Sequence, residues 1–228
     1  MSATTSARVW NLVVALIVLA AFVLQIALLL AGGQDVNTLQ ASQPVPLSTR
    51  FLRFFSYFTV ESNLFVLVTS LTLAWNPTCD GRLWRVLRLD ALLGIAVTGV
   101  VFVTVLSGLV QHSGVGTWVN AGFHYLSPVL TLVGWCLFGP RPRIDGRTLT
   151  LAFVWPVAWL VYTLIRGGVT GWYPYPFLNA QVLGYPRVAL NIAVIMAGAG
   201  AFSLLLLWLE KLLPVTRGRI AETPAAIS

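Results

Sequence analysis

Hydrophobic and polar positions fall in long blocks along this chain rather than alternating with a short period. Six apolar runs, near 9–31, 54–75, 89–110, 121–138, 149–165 and 188–213, each approach the length of a membrane crossing. A crossing takes about 20 residues at about 1.5 Å of helix rise each. The pattern predicts an all-α fold, a polytopic membrane helix bundle of about six transmembrane helices. Residues 1–8 and 214–228 are then short tails, and 9–213 is the transmembrane domain. The first run is longer than the roughly 7–15 apolar residues of a secretory signal and reads as a retained helix. Asn76-Pro77 and Gly139-Pro140 end the second and fourth runs, as residues that cannot continue a helix do. The fourth run is short and the weakest of the middle spans, with His124 and Pro128 near its start, and the sixth is long enough to tilt.

Composition supports the same picture. The 228 residues are 57% hydrophobic and 9% charged, against about 25% charged in soluble chains. The formal charge of +7 points to an anionic membrane surface rather than nucleic acid, because the basic residues sit in short clusters between apolar runs. Arg8, Arg82, Arg85, Arg88, Arg141, Arg143, Arg147, Lys211, Arg217 and Arg219 collect on one side of the predicted bundle. Arg50, Arg53, Arg166 and Arg187 lie on the other. The excess marks the cytoplasmic side, so both termini are expected in the cytoplasm of a multi-pass cell-membrane protein. Cys79 and Cys136 fall near that reducing side, which speaks against a disulfide or a cysteine metal site. Two histidines and one intramembrane carboxylate on separate elements offer no metal-binding spacing, and no nucleotide or cofactor motif is present.

Polar groups inside a span are costly, so each is a candidate for function. Thr59, Ser62, Asn63 and Val66 share one face of the second helix at about 100° per residue, with Thr69 and Ser70 extending the stripe. Helix–helix hydrogen bonding is the competing account of such a stripe. Glu61 points elsewhere and is free to pair, stay protonated or face a different helix. His124 lies at a depth similar to Thr59, and a neutral imidazole can take the proton of a hydroxyl that attacks an acyl carbon. A structural histidine hydrogen-bonded to a neighbouring helix is the alternative. Arg166 and Arg187, at the outer ends of the last two spans, suit a carboxylate or a lipid phosphate, or simply snorkel to the interface. Tyr173 and Tyr175 belong to a ring- and proline-rich loop, 171–177, which reads as an aromatic belt or as a lid over a substrate.

The segments Phe54-Phe-Ser-Tyr-Phe-Thr-Val-Glu-Ser-Asn63, His124-Tyr-Leu-Ser-Pro128 and Tyr173-Pro-Tyr-Pro-Phe177 resemble a bacterial family of six-span inner-membrane proteins, over nearly the whole chain from Trp10 to Leu213. More distantly, the chain is similar to the eukaryotic androgen-induced membrane proteins, threonine hydrolases of fatty acid esters of hydroxy fatty acids. That resemblance implies Thr59 as nucleophile and His124 as its partner. A membrane-embedded lipid ester hydrolase is the expected function, with a fatty acyl ester as substrate and Ser62 or Asn63 supporting the oxyanion. Glu61, Arg166, Arg187, Tyr173 and Tyr175 are the further substrate-binding candidates. A small transporter using Glu61 and the polar stripe, or a scaffold without chemistry, are the competing functions; the oligomeric state is open.

Overall fold

A computed structural model describes residues 3–32, 45–141 and 143–216. Among the described residues, ten helices run in chain order: α1 (Ala3–Leu30), α2 (Leu47–Phe54), α3 (Phe58–Trp75), α4 (Arg82–Val101), α5 (Val115–Ala121), α6 (Ser127–Phe138), α7 (Gly146–Ala152), α8 (Val154–Thr170), α9 (Ala180–Leu183) and α10 (Tyr185–Leu212). Two π-helical turns interrupt the pattern: Phe102–Leu106 continues α4, and Gly122–Leu126 joins α5 to α6. Among the described residues, six helical stretches are long and apolar enough to cross a membrane: Thr4–Leu30, Phe58–Trp75, Arg82–Leu106, Val115–Phe138, Gly146–Thr170 and Tyr185–Leu212.

The helices run past the apolar blocks that announce them. α1 begins at Ala3, so residues expected in a tail continue the first span. α4 takes in Arg82, Arg85 and Arg88, and α5 adds a turn and a half before Ala121. Arginine is a good helix former, so a helix ends where it is capped or broken rather than where hydropathy falls. The second run is divided instead: α2 stops at Phe54, and α3 restarts at Phe58 after a turn. Of the expected tail 214–228, residues from 217 onward lie outside the described residues, as do residues 1 and 2.

α3 is central, packed against α1 on one side and α4 on the other, while α6 touches both α1 and α4. The largest core cluster gathers Phe22, Phe54, Tyr57, Phe123, Trp159 and Tyr175 around the start of α3. A second, around Leu89, Leu92, Trp135 and Leu206, fills the opposite end. Many large apolar side chains are left exposed over the outer surface, as in a bundle whose solvent is lipid.

α10 is the exception to this packing. Only 11% of its most apolar stretch is buried. Its end is nevertheless clasped. Glu210 accepts the backbone N–H groups of Arg143 and Ile144, each at 2.7 Å. The buried Arg141 guanidinium donates to the Trp135 and Cys136 carbonyls and, at 3.3 Å, to the Pro214 carbonyl just past the helix. Thr216 accepts the Arg141 N–H at 2.9 Å. Asp145 caps α7 through the Thr148 N–H, and that bond holds its carboxyl below the usual range. Glu210→Ala should therefore lower stability by on the order of 2–4 kcal/mol, since two charge-assisted bonds at a 6% exposed carboxylate are lost. Thermal unfolding in detergent reads this as a lower Tm.

Candidate active site

Thr59 stands in the first turn of α3, immediately after the break at Phe55–Tyr57. Its hydroxyl meets His124 Nε2 at 3.4 Å and the Tyr175 hydroxyl at 3.1 Å. The Thr59 N–H, unpaired by the helix at this position, donates to the same Tyr175 oxygen at 3.1 Å. All three side chains are almost fully buried. One proton arrangement satisfies these contacts together. Tyr175 accepts the N–H and donates its own O–H to Thr59 Oγ1, which leaves the threonine proton directed at Nε2 of a neutral imidazole. Burial pushes the Tyr175 phenol up to about 12, so it stays protonated and able to donate.

Local chemistry explains how each partner arrives. Pro128 has no N–H to close the turn on the His124 carbonyl, and the helix widens there into the π-turn that carries His124. Gly99 of α4 lets that turn approach closely, for a Cβ there would lie 3.0 Å from Pro128. One turn beyond Gly99, the other π-turn places Phe102 in a stack on the imidazole, with centroids 4.0 Å apart. Two π-turns thus face each other through one ring pair.

Tyr175 arrives from the loop after α8. Gly171 ends α8 in the left-handed conformation (φ 71°), turning the chain back over the bundle. Tyr173 then lies on Gly167 so closely that a Cβ there would stand 2.1 Å from its ring. Two residues on, the extended backbone at Tyr175 precedes the short 3-10 turn Pro176–Leu178, and its ring stacks on Phe177.

The other residues named from sequence divide clearly. Asn63 is committed to backbone: its amide donates to the Thr59 carbonyl at 2.8 Å and the Phe123 carbonyl at 3.3 Å. It holds α3 against the His124 turn and has no donor left for an oxyanion. Ser62 faces α4 where Gly94 leaves room for its hydroxyl. Glu61 turns to α8 and accepts from Trp155 Nε1 at 2.7 Å. Arg166 donates to Ser56 Oγ and lies over Trp172, while Arg187 is exposed near the start of α10. Sequence reasoning missed Phe102 and the paired π-turns. Pro128 together with Gly99 was their available signal.

Two apolar recesses adjoin the triad. One, of about 80 Å³, is lined by Thr59 and Tyr175 with Phe58, Trp159, Val101 and Met196. The other is a groove of about 770 Å³ between α4, α6 and α10 that reaches His124. Val97, Val101, Ile195 and Ala199 border both.

The two loop tyrosines should respond oppositely to loss of the hydroxyl. Tyr175→Phe removes the partner of the Thr59 N–H and costs about 1–3 kcal/mol. Tyr173→Phe is neutral or stabilising, because the buried Tyr173 hydroxyl has no hydrogen-bond partner among the described residues. Paired Tm measurements in detergent distinguish them. Compared with known proteins, this chain matches no protein-family model, no curated protein and no solved structure.

Proposed function

We propose that this protein is a membrane-embedded hydrolase of lipid esters, with Thr59 as nucleophile and His124 as general base. The observation that carries the reading is the Thr59 hydroxyl held at 3.4 Å from His124 Nε2 and 3.1 Å from the Tyr175 phenol, on residues from three separate parts of the chain. A threonine hydroxyl is a weak nucleophile and needs an adjacent base. A buried phenol beside it, donating a hydrogen bond, suits the oxyanion of the tetrahedral intermediate.

The chemistry closes with these groups. Thr59 Oγ1 attacks the ester carbonyl carbon as His124 Nε2 takes its proton. Collapse of the intermediate breaks the bond to the alcohol oxygen, which leaves with that proton. Water then attacks the acyl-threonine, again losing a proton to His124, and departure of the carboxylic acid restores Thr59. The large apolar groove reaching His124 provides for an acyl chain. Glu61 lines neither recess, which favours hydrolysis over transport through a path using that carboxylate.

In this reading the protein is multi-pass in the cell membrane, both termini are cytoplasmic, and the triad faces the outer half of the bilayer. The basis is the excess of Lys and Arg beside the opposite end of the bundle.

Fluorophosphonate labelling of detergent-solubilised protein tests the assignment. Wild type should be labelled on the peptide containing Thr59, and Thr59→Ala and His124→Ala, at equal folded yield, should each lose at least about 100-fold in labelling rate, in the range of general-base catalysis. An unlabelled wild type across a panel of lipid-like phosphonates would overturn it.

A further inference from the structure

Next to the triad, at the same end of the bundle, two guanidinium groups converge on one indole. Arg166 Cζ lies 4.5 Å and Arg53 Cζ 5.3 Å from the Trp172 ring centroid. Both arginines are half-buried. Among the described residues neither meets a carboxylate, and the ion pairs present are at Asp80, at the opposite end. Arg166 is held by Ser56, whose hydroxyl also meets the Tyr162 hydroxyl at 2.8 Å. Like charges gathered on one ring repel, and the arrangement is relieved by an anion placed between them.

We propose that Arg53, Arg166 and Trp172 form a seat for the phosphate of a lipid headgroup. Guanidinium forks match phosphate oxygens in pairs, and tryptophan favours the headgroup zone, so the seat lies at the depth where lipid phosphates are found. Ser56, which holds Arg166, also accepts Trp159 Nε1 on its carbonyl at 3.1 Å, and Trp159 lines the recess containing Thr59. The Tyr57 ring packs against both Trp172 (5.6 Å) and Tyr175 (5.8 Å). One aromatic layer therefore separates the seat from the Thr59 hydroxyl. A phospholipid seated there has its acyl esters, a few bonds from the phosphate, beside that layer; this substrate role rests on the hydrolase reading, whereas the seat is tested by binding alone.

The experiment is native mass spectrometry of protein in detergent titrated with dipalmitoyl phosphatidylglycerol, comparing wild type, Arg53→Gln/Arg166→Gln, the charge-keeping Arg53→Lys/Arg166→Lys, and Arg187→Gln. Wild type and Arg187→Gln should retain the lipid equally, and the double Gln variant should need about tenfold more for half-occupancy, the loss of one strong charge-assisted contact. The Lys pair should fall between them, which separates lost charge from lost fold. Thr59→Ala should bind as wild type does, so a failed hydrolase reading leaves this result intact. Equal retention by wild type and the double Gln variant overturns the seat. So does displacement of the lipid by equimolar inorganic phosphate, the mark of a free-anion site, or by equimolar palmitate, the mark of a carboxylate site.

Discussion

A backbone in an apolar medium has no water to bond its N–H and C=O groups, so every interruption of a helix must be repaired by the protein itself. This chain is shaped by such repairs. Trp159 donates to the Ser56 carbonyl at the break before α3, and Arg50 donates to the Leu29 carbonyl near the end of α1. Asn191 reaches the Phe177 carbonyl in the loop before α9. Glu210 gathers two N–H groups of the loop before α7. Each bond runs from a side chain on one element to the backbone of another, so the same contacts that satisfy the breaks also fix how the helices sit against one another.

The candidate site is assembled from these interruptions. Thr59 is available because α3 restarts just before it, which frees its N–H for Tyr175. His124 is turned by a helix widened ahead of Pro128, and Asn63 ties that turn to α3. An uninterrupted pair of helices would present neither group this way. The surroundings are apolar, so the few polar contacts at Thr59 are strengthened by exclusion of water rather than by added charge.

The spans were legible in the sequence because hydrocarbon demands long apolar runs, and six such runs stand out against a chain that is only 9% charged. Their ends were less so: Arg82, Arg85 and Arg88 read as a loop by charge, yet they propagate a helix. Thr59 and His124 could be singled out from depth, order and resemblance. The division of labour between Tyr173 and Tyr175 could not, since it depends on how closely the loop returns to Gly167, a tertiary contact with no local signature. Asn63 looked like an oxyanion donor because the carbonyls that occupy it, one of them on a distant turn, appear only when the helices are packed.

The sparse packing of α10 has a consequence for the membrane as a whole. Its 28 residues at about 1.5 Å each make a rod of about 42 Å, against about 30 Å of hydrocarbon. A rod longer than the hydrocarbon is accommodated by tilting, kinking or local thickening of the bilayer, and the clasp at Glu210 ties down its C-terminal end. Ile195 and Ala199 of this rod form one wall of the groove that reaches His124, so a change in its lean moves that wall. Bilayer thickness then becomes a mechanical input to the shape of that groove.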